Sequence, residues 1–214
     1  MAPLSTHTSH ARPALSRERI AATALALVDR DGLEALSMRK LGADLGVEGM
    51  AIYRYFPNKA ALLAGVVEVL LAELVIPPPS DVPWQQVFRE LSRAYRALLL
   101  RHPHAIPLLA TLPLSDPAAA RAAGAVMAQL RAAGFDAQSA LKTLATITSY
   151  VVGVAQWEVG TAPFRAERGG APFPLPPDAD PYLVELAPQL AEDDCEETFA
   201  FGLDVIVRGL ETRP

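Results

Sequence analysis

The chain has 214 residues, of which 51% are hydrophobic and 20% are charged, with a formal net charge of −5. This much apolar material supplies a core and excludes a disordered chain, and the single cysteine excludes an intrachain disulfide. No uncharged run approaches the roughly 20 apolar residues of a membrane helix, and residues 1–13 lack the apolar stretch of a secretory signal. We therefore expect a soluble, cytoplasmic protein with no membrane partner.

The charges are divided unevenly along the chain. Residues 1–59 contain eight Lys and Arg against six Asp and Glu, whereas residues 60–214 contain 11 against 18. A basic front part and an acidic rear part are typical of a protein with two functions. The basic part is compatible with binding a polyanionic partner.

The first elements are predicted from their capping residues. Residues 1–13 are polar, and we expect them to form a disordered arm. Ser16 is placed to cap a first helix that ends at Gly32. Ser37 is placed to cap a second, short helix that ends at Gly46.

Two further helices complete the front part. The third is predicted from about Glu48 to Tyr55. Asn58 is placed to cap the fourth, in which leucine and valine recur at helical spacing. The triplet Pro77-Pro78-Pro79 is expected to end this helix because proline lacks the backbone N–H.

Aspartates mark the helix starts of the rear part, two of them followed by the proline that is favoured at the first helical position. They are Asp81, Asp116, Asp136, Asp180 and either Asp193 or Asp194. The predicted spans are about 83–100, 117–134, 136–158 and 194–210, with a long loop at 163–181 and a helix after Asp180. No segment alternates like a strand, so the prediction is an all-α fold of nine or ten helices.

One motif carries information about function, the segment SMRKLGADLGVEGMAIYRYFPNK at Ser37–Lys59. Two helices joined by a three-residue turn pack tightly only when a small residue such as Gly42 lies between them. Gly46 suits the left-handed backbone at the end of the first helix. The apolar positions between the helices are Leu41, Leu45, Val47, Ile52 and Tyr55. The pattern is that of a helix-turn-helix.

The segment from about Leu15 to Leu74 resembles the N-terminal domain of the TetR family of bacterial transcriptional regulators. The match is carried by Ala24 to Leu27, Gly32, Leu36, Met38 to Leu41, Leu45-Gly46-Val47, Ile52 to Phe56, Asn58-Lys59 and Leu62-Leu63. The resemblance implies a three-helix DNA-binding head with a connecting helix at 14–74. It also implies a ligand-binding and dimerisation domain at 75–214.

The resemblance assigns phosphate contacts to four exposed side chains. Tyr53 would bring a hydroxyl to a phosphate and its ring to the sugar, and Lys59 would bring its ammonium at the start of the fourth helix. Ser37 would add a hydroxyl contact, and Arg54 lies near the DNA backbone. Tyr55 belongs to the apolar set and is expected in the core.

Base reading is assigned to Arg39 and to the recognition helix. Arg39 would pair with guanine O6 and N7, while Met50 and Ala51 would touch thymine methyl groups. Many family members have polar residues where this chain has Gly49, Met50 and Ala51. Specificity is therefore expected to come from Arg39, from methyl contacts and from DNA shape.

The resemblance also implies a homodimer, built as a four-helix bundle from the two long helices at 136–158 and 194–210. The residues assigned to that face are Leu141, Leu144, Ile147, Thr148, Val151 and Val152 of the first, and Phe199, Phe201, Leu203, Val205, Ile206 and Leu210 of the second. The alternative is that both helices are central in a monomer.

A small-molecule effector is expected in the rear part. The candidate contacts are Phe88, Tyr95, His102, His104, Met127, Gln156 and Trp157. His102 and His104 have no third histidine or cysteine nearby, so we expect no metal site and no cofactor. Leu108 stands where the tetracycline-binding members carry a metal-binding histidine, which argues against tetracycline as the effector.

The sequence thus favours a DNA-binding repressor that a small molecule releases from a palindromic operator. No nucleophile motif or phosphate-binding glycine loop is present, so an enzyme is not expected. The alternative is a helical protein-interaction module with a degenerate DNA-binding head.

Overall fold

The computed structural model describes residues 14–79, 82–168, 174–191 and 195–211, and within these ranges every long element is helical. It contains α1 (Arg17–Asp31), α2 (Met38–Leu45), α3 (Gly49–Ile52), α4 (Lys59–Ala72), α5 (Trp84–Arg101), α6 (Ile106–Ala110), α7 (Pro117–Ala132), α8 (Ala137–Arg168), α9 (Pro181–Ala191) and α10 (Cys195–Glu211). Short 3-10 turns occupy Leu33–Ala35 and Pro103–Ala105. The prediction of an all-α fold with nine or ten helices is confirmed.

The predicted caps of the first helices are present. The Ser16 hydroxyl accepts a hydrogen bond from the Arg19 backbone N–H at 3.2 Å, and Ser37 accepts one from Lys40 at 3.2 Å. The Asn58 side chain accepts from the Ala61 N–H at 2.8 Å. Each bond satisfies a backbone donor that the first turn of a helix leaves unpaired.

Aspartate caps start three later helices as predicted. Asp116 accepts from the N–H groups of Ala118 and Ala119, Asp136 from those of Gln138 and Ser139, and Asp180 from that of Tyr182, at 2.8 to 3.1 Å. Asp81, Asp193, Asp194 and the predicted arm 1–13 lie outside the described residues.

Two helix ends differ from the prediction. α3 ends at Ile52 and not at Tyr55; after it, the Tyr55 N–H bonds the Ile52 carbonyl three residues back at 2.9 Å, in a tighter turn than that of an α-helix. α4 ends at Ala72, before the proline triplet. The following N–H groups of Glu73 and Leu74 bond carbonyls three residues back, which closes the last turn early.

α8 runs ten residues past the predicted end at Glu158, and it includes Pro163. Near the proline, the Arg165 guanidinium donates to the Glu158 carbonyl at 2.8 Å and to the Thr161 hydroxyl at 2.6 Å. These side-chain bonds support the turn where proline removes a backbone donor. The first part of the predicted 163–181 loop is therefore helix.

Contacts divide the chain into two compact units, residues 1–69 and 70–214. The core of the first unit is formed by buried side chains of α1, α2, α3 and α4, together with Leu36 and Phe56. They include Ile20, Ala24, Leu27, Leu36, Leu41, Ile52, Phe56, Leu62 and Val66. Among the described residues, no helix is long and apolar enough to cross a membrane.

The second unit is held together by α5, α8 and α10. Arg96 of α5 is only 9% exposed, and its guanidinium donates to Glu158 of α8 at 2.8 and 3.0 Å and to Glu196 of α10. The same guanidinium lies 5.0 Å from the ring centre of Phe199. One cation therefore joins three helices that are far apart in sequence.

Gly202 sets the distance between α8 and α10. A Cβ at this position would overlap the phenol ring of Tyr150, whose hydroxyl donates to the Phe199 carbonyl at 2.8 Å. The absence of a side chain at Gly202 lets Tyr150 lie flat against α10.

Candidate DNA interface and ligand cavity

The turn between α2 and α3 brings the two backbones into direct contact. A Cβ on Gly42 would lie 2.8 Å from the Val47 carbonyl oxygen and 3.0 Å from the Gly49 nitrogen. Gly46 has φ 70° and ψ 35°, the left-handed conformation that favours glycine. The two glycines therefore permit the close helix pair that the motif predicted.

The apolar positions predicted between the helices are not equally buried. Leu41, Leu45 and Ile52 are buried, whereas Val47 and Tyr55 are half-buried. The Tyr55 hydroxyl donates to the Leu15 carbonyl at 2.9 Å and so ties the end of this segment to the residues before α1.

The predicted DNA contacts lie mostly on the surface of the first unit. Ser37, Arg39, Arg54 and Lys59 are exposed, and the side chains of Met50 and Tyr53 are 72% and 44% exposed. The other two predicted positions, Gly49 and Ala51, are half-buried. Gly49 lies against the backbone of Met38, so the start of α3 is held close to α2.

The cations of the first unit include one group without a partner and one group paired with carboxylates; Arg17 belongs to neither, since it donates to the Tyr55 carbonyl at 2.8 Å. Among the described residues, Arg39, Arg54 and Lys59 have no hydrogen-bond or ion-pair partner within the protein. All three are among the predicted DNA contacts. Their charges are available to an external anion such as a phosphate.

The second group is neutralised internally. Arg30 pairs with Asp31 and Asp44 at 2.9 Å, and Lys40 pairs with Asp31 at 2.9 Å. Hydrogen bonds from Arg30 and then Lys40 lower the pKa of Asp31 to about 2. These contacts leave Arg39, Arg54 and Lys59 as cations with no partner in the described part of this unit.

The second unit contains a cavity of about 310 Å³ with a mainly apolar lining. α5 contributes Phe88, Leu91, Ser92 and Tyr95, and α7 contributes Ala119, Ala122, Ala123 and Val126. α8 contributes Leu141, Leu144, Ala145, Ile147, Thr148 and Ser149, and the rest of the lining is Leu71, Leu74, Ile76, Leu109, Leu112 and Leu114.

The structure brings two of the seven predicted ligand contacts, Phe88 and Tyr95, into this lining. The other five lie elsewhere. His102 lies 3.3 Å from Glu73, and Met127 lines a separate cavity of about 300 Å³. His104, Gln156 and Trp157 are exposed, and the Arg165 guanidinium lies 5.8 Å from the Trp157 ring.

Sequence reasoning missed the α7 wall of the cavity, although a signal was present. Ala119, Ala122, Ala123 and Val126 recur at helical spacing and form one face of small side chains. Small residues on a face that points into the protein leave room for a guest molecule.

The six residues of α8 that were assigned to the dimer face lie in two places within the protomer. Leu141, Leu144, Ile147 and Thr148 line the cavity, because that side of α8 faces α5 and α7. The other two assigned residues, Val151 and Val152, are buried within the protomer. The exposed large apolar side chains of α8 are Leu141, Trp157 and Phe164.

On α10, the assigned residues divide between two faces. Phe199 and Leu203 are buried, and Ile206 and Leu210 are half-buried. Phe201 and Val205, four residues apart, are 72% and 56% exposed. They form an apolar stripe that nothing in the described chain covers.

The chain matches two family models, "Bacterial regulatory proteins, tetR family" at residues 20–66 and "Tetracyclin repressor-like, C-terminal domain" at residues 76–213. The class A tetracycline repressor of transposon 1721 from Escherichia coli is 33% identical over 192 residues, covering 89% of this chain and 88% of the relative. An HTH-type transcriptional regulator of Saccharopolyspora erythraea is 33% identical over 145 residues, which span 68% of this chain and 61% of the relative.

A solved structure gives the same result for the fold. The crystal structure of ActR from Streptomyces coelicolor in complex with actinorhodin superposes with a TM-score of 0.77 at 27% identity, covering 92% of this chain and 97% of ActR. Together with the helix-turn-helix geometry and the cavity, these matches show that the chain belongs to the TetR family and is a transcriptional regulator.

Proposed function

We propose that this protein is a cytoplasmic repressor that binds a palindromic DNA operator as a homodimer and releases it when a small molecule occupies the cavity. The observation that carries the DNA-binding part is the group of unpartnered, exposed Arg39, Arg54 and Lys59 beside a closely packed helix-turn-helix. The matched family models support a division into a DNA-binding domain at 14–74 and a ligand-binding and dimerisation domain at 75–214.

The proposed DNA contacts divide into positioning and reading. Lys59, Arg54, Tyr53 and Ser37 would hold phosphates, and these contacts set affinity without regard to sequence. Arg39 would read guanine. In a dimer, the two α3 helices would enter major grooves about 34–36 Å apart, which requires a palindromic site.

The experiment that tests DNA binding is selection of bound duplexes from a random library, followed by affinity against salt for the enriched sequence. We expect a palindrome and a steep salt slope. For Lys59→Ala, the slope should fall by about one per subunit, since one phosphate contact is lost. Lys142→Ala removes an exposed ammonium from the second unit and should leave the slope unchanged.

An absence of enrichment with purified, ligand-stripped protein would contradict the DNA-binding proposal. A Lys59→Ala slope equal to that of the wild-type protein would contradict the phosphate contact alone. If Tyr53→Ala/Lys59→Ala removed no DNA binding and weakened binding to another protein, the interaction module would be the better interpretation.

Met50 provides a separate prediction, because a thioether side chain on the recognition helix has no hydrogen-bond donor for a base edge. We expect it to contact a thymine methyl group. Replacing thymine by deoxyuridine in the selected operator removes only that methyl group and should weaken binding about fourfold per half-site. Met50→Ala should bind the thymine operator more weakly and lose its response to uracil.

Arg39→Ala is the matched control for the uracil experiment. Its affinity should fall because a guanine contact is lost, while its sensitivity to uracil should remain. A Met50→Ala protein that still distinguished thymine from uracil by the wild-type factor would rule out the methyl contact.

We propose that dimerisation uses Phe201 and Val205 of α10 with Trp157 and Phe164 of α8, from each of two copies. The exposed apolar stripe on α10 supports this arrangement, since aromatic and aliphatic side chains in such a row gain free energy when they leave water. Pairing with a second copy about a twofold axis would bury both stripes in a four-helix bundle.

Replacing Phe201 by Asp is expected to convert the dimer into monomer, because a carboxylate would be buried in each half of an apolar interface. Analytical ultracentrifugation measures the change, and operator affinity should fall with it. Val75→Asp also introduces a carboxylate at an exposed apolar position, and it should leave the dimer intact. A Phe201→Asp protein that remained dimeric would place the interface elsewhere.

Release by a small molecule is supported by the cavity and by what related proteins bind. ActR was crystallised with actinorhodin, and several relatives are named tetracycline repressors. α4 begins at Lys59 and contributes Leu71 to the cavity lining, so one helix takes part in both tasks. A ligand that binds one arrangement of α4 more tightly would weaken DNA binding, and DNA would weaken ligand binding by the same factor.

A further inference from the structure

The cavity lining has a distinctive electrostatic character. Within the described residues that form it, no side chain is a carboxylate, an imidazole, an ammonium or a guanidinium. The polar side chains are the hydroxyls of Ser92, Tyr95, Thr148 and Ser149. A charged guest would lose its hydration without gaining a counter-charge, which costs several kcal/mol or more. The lining therefore favours an uncharged guest.

The hydroxyl groups are not equally available to a guest. The Ser92 hydroxyl donates to the Phe88 carbonyl at 2.7 Å, so its proton is already engaged within α5. Ser149 is exposed to solvent, and Thr148 is half-buried with no hydrogen-bond partner for its hydroxyl among the described residues. The Tyr95 hydroxyl has no hydrogen-bond partner among the described residues, and it belongs to the lining.

Tyr95 is suited to donate a hydrogen bond and not to ionise. Burial raises the pKa of Tyr95 to about 12, so the phenol keeps its proton at neutral pH. Tyr95 is half-buried and lines the cavity, so an acceptor on the guest can take the place of water on its hydroxyl. The apolar walls of α7 and α8 would cover the rest of the guest.

We propose that the effector is an uncharged, mainly apolar molecule with a hydrogen-bond acceptor, such as a carbonyl oxygen, that receives the Tyr95 hydroxyl proton. That this molecule releases the operator rests on the proposed function, but its binding to the cavity can be tested without DNA. A charged metal chelate would find no counter-charge in this lining.

Three fused-ring probes of one shape test the proposal on the full-length protein. Fluorene has no acceptor, 9-fluorenone has one carbonyl, and 9-fluorenone-2-carboxylate adds a charge. We expect 9-fluorenone to bind more tightly than fluorene and at least about tenfold more tightly than the carboxylate. Calorimetry or probe fluorescence measures each affinity.

Tyr95→Phe separates the hydrogen bond from the cavity as a whole. It should weaken 9-fluorenone binding about fivefold, the usual effect of one neutral hydrogen bond, and leave fluorene binding unchanged. Tyr182→Phe removes a hydroxyl from an exposed tyrosine outside the lining and should change neither affinity. Ala123→Trp should fill the cavity and abolish binding of both probes, with its unfolding temperature showing that the protein is folded.

Several results would overturn the proposal. The first is that 9-fluorenone-2-carboxylate binds as tightly as 9-fluorenone, and the second is that Tyr95→Phe weakens fluorene and 9-fluorenone binding equally. The third is that 9-fluorenone does not bind at all, and the fourth is that tetracycline with Mg²⁺ binds more tightly than 9-fluorenone. Operator affinity measured without any probe distinguishes failure of the proposed ligand chemistry from failure of the proposed repressor function. Intact DNA binding beside any of these results would refute the ligand chemistry alone, whereas probe binding without DNA selection would refute the repressor.

Discussion

Replacing Arg96 by methionine is expected to lower the free energy of unfolding by about 3 kcal/mol, the low end of the range for breaking a buried ion pair. Methionine keeps most of the side-chain length but removes the cation that joins α5 to Glu158 and Glu196. Glu158 is largely buried, so its carboxylate would remain without a counter-charge in a poorly hydrated place. Chemical denaturation of the full-length protein measures the loss.

Arg89→Met is the matched control for Arg96→Met. Arg89 also lies on α5 and pairs with Asp204 of α10 at 2.8 Å, but both partners are more exposed than Arg96 and Glu158. Solvent screens that pair, so its loss should cost under about 1 kcal/mol. Equal costs for the two variants would show that burial of Arg96 contributes nothing to the stability of this unit.

Replacing Gly42 by alanine is expected to weaken operator binding more than tenfold and to destabilise the first unit by about 1–3 kcal/mol. The added Cβ would lie 2.8 Å from the Val47 carbonyl oxygen. Since the obstructing atoms are backbone, no side-chain rotation relieves the overlap, and α3 must move away from α2. DNA titration and denaturation measure the two effects.

Gly124→Ala is the control for Gly42→Ala. Gly124 lies inside α7, and nothing lies within 4 Å of an added Cβ. Alanine is a better helix former than glycine, so this variant should be more stable by about 0.5–1 kcal/mol and should bind DNA normally. Wild-type operator affinity in Gly42→Ala would contradict the close helix pair.

Features set by neighbouring residues were predictable from the sequence. The caps at Ser16, Ser37, Asn58, Asp116 and Asp136 are all present, because a cap needs only a short polar side chain two or three residues before a backbone donor. The helix-turn-helix is equally local. Its determining glycines lie within a few residues of the backbone atoms that they approach.

Features that depend on distant partners were predicted less well. α8 extends to Arg168 through a proline that argued for a loop, since side-chain bonds from Arg165 and Thr161 support that turn. The place of α8 in the cavity wall was not predicted, because its apolar residues are suited equally to a cavity wall and to a partner helix. Only the positions of α5 and α7 distinguish the two.

The sequence by itself determined the helical class, the caps and the DNA-binding motif, since each depends on spacing within one or two turns of the chain. The tertiary structure decided which cations remain unpartnered, which apolar faces stay exposed and which hydroxyls line the cavity. Those properties arise from contacts between residues 100 or more positions apart, such as Arg96 with Glu196 and Arg89 with Asp204. The spacing of residues within one segment does not predict such pairs, because the packing of distant helices brings them together.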